Sequence, residues 1–198
     1  VMFGIDPLKT IRAFKGLPIY YKNRKLLKQQ EKDASKKFPF AIPYPCLSDR
    51  FNSAGEATGH YFHQDLLVAR RIYQNNPSLH IDIGSRIDGF VAHVASFRNI
   101  EIIDVCSLTY KIPNVTFKKA DLMEELDNKL KERADSLSCL HALEHFGLGR
   151  YGDPVNYNGY LLGLDNLYKI LKKNGKFYFS VPIGPQRIEF DAHRVFSI

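Results

Sequence analysis

The stretch SLSCLHALEHFGLGRYGDP, residues 136–154, decides how this chain folds. At its centre HALEH, residues 141–145, has the form H-x-x-E-H, in which two histidines hold zinc and a glutamate between them works on water. That reading needs both histidines on one face of a helix and a further carboxylate to complete the metal shell. The preceding DSLSCL instead has the pattern of a buried strand, and Gly147 and Gly149 follow too soon for a long helix. HALEH therefore reads as the end of a strand opening onto a small-molecule site, with no metal.

Around that strand the chain alternates. From residue 79, LHIDIG, IEIIDV, VTFKKADL, DSLSCLHAL and KFYFSVP read as strands. GFVAHVASF, MEELDNKLKERA and YLLGLDNLYKILKKNG, the last stopped by Asn174-Gly175, read as the helices between them. Such alternation predicts an α/β fold: a Rossmann-like parallel sheet over 79–183, strand order 3-2-1-4-5, with helices on both faces and ligands beyond the carboxyl ends of the strands.

Upstream, HYFHQDLLVARRIYQNNP (60–77) places Tyr61, Leu67, Val68 and Ile72 near a helical period and ends at Asn75-Asn76-Pro77. FPFAIPYPCLSD (38–49) carries three prolines and reads as a connecting arm. The expected division is a basic helical and proline-rich arm, 1–59, and a Rossmann-like domain, 60–198. Of 28 basic and 21 acidic residues, much of the basic excess lies in the first forty positions. KGLPIYYKNRKLLKQQEKDASKKF (15–38) reads as a solvated helix, the alternative being a segment that touches nucleic acid, an anionic membrane surface or a phosphorylated substrate. No nucleic-acid signature accompanies the charge, so no nucleic-acid partner is expected. The chain has neither an apolar run of roughly 20 residues nor a secretion signal, which predicts a soluble cytoplasmic protein. Cys46, Cys106 and Cys139 form no CxxC and are expected to be reduced core or near-core residues.

Three strand ends carry acidic residues. Gly84 supplies a permissive turn after strand one, and Asp82 can order that turn by accepting hydrogen bonds. Asp104 follows Gly84 by 20 residues, about the spacing at which a carboxylate accepts both hydroxyls of a ribose. Asp121 and Leu122 are placed to meet an adenine ring. Acidic residues at three successive strand ends favour a nucleoside-type ligand.

DIGSRIDGF, IEIIDV, KKADL, SCLHALEH and LYKILKKNGKFYFSVP together resemble the successive motifs of class I S-adenosylmethionine-dependent methyltransferases, over residues 79–183. With FGIDPLKTIRAFKGLP, HYFHQDLL and LGRYGDP, the whole chain also resembles a bacterial family of unknown function often associated with surface-polysaccharide gene clusters. The resemblance implies S-adenosylmethionine as cofactor, held by Asp82, Gly84, Ser85, Arg86 and Gly89 at the first turn, by Asp104, Val105, Asp121 and Leu122 at the next two strand ends, and by His141. It implies a small-molecule or glycan-precursor substrate, with Glu144 and His145 on the substrate side and His145 as base. Tyr61 and His63 could cover the cofactor, and Asp153, Tyr157, His193 and Arg194 could pass above the strand ends. Two features depart from the family pattern. Arg86 and Asp88 stand where glycines are usual, with Gly89 one place later, and the chain reaches AHRVFSI soon after strand five, which leaves two alternatives: a shortened piece of the usual fold, or a fold that lacks its last two strands. The readings are thus a methyltransferase-like protein acting on a sugar or glycan precursor, a non-catalytic nucleotide- or sugar-phosphate-binding module on the same sheet, and a zinc hydrolase. The oligomeric state is not legible in the sequence.

Overall fold

The computed structural model describes residues 6–33, 38–52, 55, 57 and 59–198. The chain divides into two compact units, Val1–Ala57 and Thr58–Ile198. In the first, helix α1 spans Pro7–Gln30; Asp6 caps it by accepting the Leu8 and Lys9 amides, and Pro7 occupies the first turn, where no amide partner is needed. The proline-rich segment that follows contains no regular element among its described residues before a short 3₁₀ turn at Asp49–Phe51.

The second unit begins with α2, His60–Asn75, which buries Val68, Ala69 and Ile72. Leu67, expected on the same face, is exposed. Asn76 ends the helix in a left-handed conformation, its amide donating to the Ile72 carbonyl. The strands are β1 His80–Ile83, β2 Ile100–Asp104, β3 Val115–Lys119, β4 Ala134–Leu140 and β5 Leu171–Ser180. All pair in parallel in the order β3-β2-β1-β4-β5, as the alternation predicts. Between β1 and β2 a wide turn at Ile87–Val91 runs into α3, Ala92–Ala95, and α4 spans Gly159–Ile170.

Alternation within strands sorts side chains onto two faces. Ile81, Ile83, Ile103, Leu137 and Cys139 join Leu167 and Ile170 of α4 in one core layer. Ile100, Ile102 and Leu140 join α2 and α3 in the other, around Phe90 and Val94.

Three local expectations are corrected. MEELDNKLKERA forms no helix: apart from a 3₁₀ turn at Asn128–Leu130 it is irregular. Leu126 and Leu130 are pulled into the core while the Asn166 side chain donates to the Leu122 and Glu124 carbonyls, so packing overrides the helical propensity of the segment. Helix α4 ends at Ile170, before Asn174-Gly175; Arg133 pairs by its amide with the Ile170 carbonyl, and β5 begins at once with a register shift against β4. Of the cysteines only Cys139 is buried; Cys46 and Cys106 are exposed. After β5 a small antiparallel hairpin, β6 Arg187–Glu189 and β7 His193–Val195, stands outside the main sheet.

The turn leaving β4 is close-fitting. Gly147 has φ +74°, and a Cβ there would run into the Asn156 carbonyl. Gly147→Ala should therefore cost about 2 kcal/mol or more, from the left-handed backbone and the clash together, read as a lower urea midpoint. An unchanged midpoint would show that this turn does not hold the loop.

Candidate functional site

The carboxyl ends of β1, β2 and β4 lie side by side, because Ile83 is in register with Ile103 and with Cys139. Gly84, Asp104 and Leu140 thus follow at one level. Gly84 has φ +70° and donates its amide to the Ile103 carbonyl, and an added Cβ would sit 2.9 Å from that of Ala142. Only glycine lets β1 turn this tightly against the exit of β4.

Beneath the turn lies a buried polar chain. Asp82 is fully buried; its carboxylate accepts the Ser85 amide (3.0 Å), the Ser85 hydroxyl (2.9 Å) and the Ser138 hydroxyl. Having given its proton to Asp82, the Ser138 hydroxyl accepts from His80 Nε2 at 3.1 Å, so the hydrogen of His80 resides there, and Nδ1 accepts from Ser136 at 2.8 Å. Burial pushes His80 down to about 3 and Asp82 up to about 6. Asp82 and Ser85 consequently shape the turn from inside and present no free polar group to a ligand.

Arg86 leaves the turn outward. Its Nε and Nη2 donate to both oxygens of Asp88, at 3.0 and 2.7 Å, and both side chains are largely in water. Gly89, in a non-helical conformation, lies beneath Asp65 of α2, whose Oδ2 would be 3.1 Å from an added Cβ. Burial raises the Asp65 carboxyl. Asp104, half-buried, accepts the Cys106 amide at 2.7 Å through Oδ1, and burial raises its carboxyl too. Val105 is half-buried beside it. Asp121 accepts the Met123 amide at 2.8 Å. Leu122 is corrected as an adenine contact: it is buried within the core layer beneath α4.

At the exit of β4, His141 adopts φ +53° and its Nδ1 lies 3.0 Å from Glu144 Oε1. Its ring meets those of His60 (4.8 Å) and Tyr61 (5.1 Å) from the first turn of α2. Burial, then the Glu144 carboxylate, raises the Tyr61 phenol. Glu144 is corrected as a group facing substrate. It is buried, it holds His141 rather than His145, and its Oε2 has no hydrogen-bond partner among the described residues. His145 is fixed elsewhere: its Nδ1 donates to the Ala192 carbonyl at 2.7 Å, which leaves Nε2 as an acceptor. Burial lowers its pKa against the opposing pull of Glu144. Leu143–His145 form a single 3₁₀ turn that His141 precedes, so the two histidines are not paired as a zinc helix requires. Among the described residues no three His, Cys, Asp or Glu side chains are grouped to hold a metal.

The hairpin closes this side. Arg194, buried, donates to the Phe146 carbonyl (2.5 Å) and the Tyr157 carbonyl (3.1 Å) and lies over the Tyr160 ring, so it pins loops rather than facing a ligand. Asp153 likewise is spent on the Gly147, Gly149 and Tyr151 amides. His193 pairs with Glu189, Tyr157 is exposed, and His63 is an exposed residue of α2 that meets Phe62. Sequence reasoning missed Asp65, His60, Arg150 and Tyr151. Asp65 has its helical spacing from Tyr61 as its only signal and His60 its place next to Tyr61, and the last two have none, because Arg150 reaches Ala192 and Tyr151 reaches the His145 ring only through the fold.

Sheet order defines a doubly wound α/β protein, a class in which ligands bind beyond the carboxyl ends of the strands. Residues 93–198 match the family described as "Caenorhabditis protein of unknown function, DUF268", and the chain belongs to that family. The description names a Caenorhabditis protein rather than a bacterial one, and the matched region begins in α3, after the Gly84 turn. No curated protein matches. Among solved structures the chain is similar to an S-adenosylmethionine-dependent methyltransferase from Clostridium acetobutylicum ATCC 824, at 13% identity and a TM-score of 0.41. That match covers 61% of this chain and half of the other.

Asp82 offers a measurable signature. Its folded value, about 6, lies above the ordinary carboxylate value of about 4, so folding favours the protonated form. The stability it contributes is present below about pH 4 and lost as pH rises through about 6. Asp82→Asn cannot ionise, so its stability relative to the unmodified protein should rise by roughly 2 kcal/mol between about pH 4 and pH 7 in urea unfolding. A pH-independent difference would contradict this.

Proposed function

We propose that this protein is a cytoplasmic S-adenosylmethionine-dependent methyltransferase acting on a hydroxyl of a sugar or glycan precursor. One observation carries the reading: Asp104, half-buried at the end of β2, stands level with the Gly84 turn at the end of β1, in the crevice of a 3-2-1-4-5 parallel sheet. The residues present fit an adenosyl cofactor. Gly84 keeps the turn at the end of β1 tight against Ala142, and Asp104 spends its Oδ1 on Cys106, with Oδ2 the oxygen for a ribose hydroxyl. Arg86, turned out onto Asp88, does not occupy the crevice where a glycine is usual. His141 and Tyr61 would form the wall beyond it.

When bound, the cofactor supplies an electrophilic methyl group. The protein's task is then alignment and proton removal. His145 suits the second: its Nδ1 hydrogen is committed to Ala192, its Nε2 lone pair is free, and burial keeps the ring neutral at ordinary pH. Glu144 holds the His141 ring and so acts as a positioning residue. Arg150, Tyr151 and His193 near His145 give the acceptor side the polar character that a polyhydroxylated substrate needs. The sugar or glycan acceptor draws further support from the resemblance to proteins associated with surface-polysaccharide clusters.

Calorimetric titration with S-adenosylhomocysteine tests this. Asp104→Ala should weaken binding by about 1–3 kcal/mol, through loss of a charged hydrogen bond. Arg86→Gly should leave it unchanged or tighter, since only an exposed ion pair is lost. If neither variant alters a measurable affinity for that ligand, and Arg86→Gly abolishes binding of a sugar phosphate, the protein is instead a phosphate-binding module on this sheet.

A further inference from the structure

The basic charge of this protein has one address. Helix α1 carries seven lysines and arginines and no acidic residue, so the remainder of the chain carries 21 basic and 21 acidic side chains, with no net charge of its own. Up to Pro18 the helix is also sorted by type. Leu8, Ile11, Phe14 and Leu17 recur at intervals of three and are exposed, at 57, 52, 72 and 37%. Lys9, Arg12 and Lys15 form a second row beside them, and Thr10, Ala13 and Gly16 a third. At about 100° per residue a row of this kind winds back by about 60° a step, so Ile11, Phe14 and Leu17 share one sector, whereas Leu8 lies between Lys15 and Arg12 on the basic side.

The small row is the one turned toward its own unit. Gly16 is buried, and a Cβ there would meet the Leu47 carbonyl. Arg12 reaches Asn52 at 3.3 Å from the flank. The apolar row is thereby left facing water, rimmed by positive charge. After Pro18 apolar and basic residues are intermixed around the helix.

We infer that the Pro7–Leu17 half of α1 docks on the surface of an anionic lipid bilayer, lying in the interfacial plane with Ile11, Phe14 and Leu17 among the acyl chains and Lys9 and Lys15 at the headgroups. A nucleic acid would meet the charge but leave the aliphatic row in water; the anionic bilayer satisfies both rows at once. The helix lies on the membrane rather than crossing it, for among the described residues no helix is long and apolar enough to span one.

Cosedimentation of the full chain with phosphatidylcholine vesicles containing roughly 30 mol% phosphatidylserine, against phosphatidylcholine alone, tests the inference. Binding should be about tenfold stronger to the anionic vesicles and should weaken with salt. Two variants at exposed positions separate the rows: Ile11→Ser with Phe14→Ser, and Lys9→Glu with Lys15→Glu. Each pair should lower vesicle binding about tenfold while circular dichroism stays unchanged. Failure to bind anionic vesicles overturns the inference. So does binding that the lysine pair weakens and the Ile11/Phe14 pair does not, or a preference for an oligonucleotide over the vesicles, either of which marks a purely electrostatic partner.

Discussion

A buried carboxylate at the centre of the sheet constrains the rest of the structure. Asp82 sits in β1, shut off from water, and a charge in that position is tolerable only with donors on every side. The chain supplies them from two directions: Ser85 reaches back from the turn, and Ser138 reaches across from β4. Those bonds fix how β1 bends into its turn and at what register β4 lies beside it. Removing one donor would leave a buried acceptor short of a partner, a penalty of about 1–3 kcal/mol, which is a large fraction of the stability of an ordinary domain.

The same network shows how a glycine-poor turn keeps its shape. Gly84 is the position where a side chain cannot be accommodated, because Ala142 stands against it. Arg86 and Asp88 lie beyond the tight part and satisfy each other in solvent. Their bulk is therefore carried in solvent, away from the tight part of the turn.

Strand order, the helix before β1 and the grouping of Gly84 with Asp104 at one edge were legible in the sequence, because each rests on a local period or a fixed spacing. The polar chain was not read. H-x-D in β1 and S-x-S in β4 alternate with isoleucine, leucine and cysteine, so one face of each strand is polar, but only the parallel register of His80 with Ser136 and Asp82 with Ser138 shows that these faces meet. The pairing of Glu144 with His141 was hidden for a similar reason. It depends on the left-handed backbone of His141, a conformation uncommon outside glycine. The polar segment 123–134 misled because its helical propensity is real and local, whereas the leucines that unwind it answer to a core assembled from distant strands.

One carbonyl in the terminal hairpin has more than a local part. Ala192 accepts from His145 at 2.7 Å and from Arg150 at 3.0 Å, and it lies between the two short strands that Arg194 ties to the Phe146 loop. The hairpin thus works as a latch on the tautomer of His145: while it is seated, Nδ1 keeps the hydrogen and Nε2 stays open. Lift it, and the imidazole loses the contact that tells its two nitrogens apart just as a neighbouring guanidinium is set loose. The chemical state of the ring is in this way written by a segment some 47 residues downstream, and a change of sequence there is a change to the histidine itself.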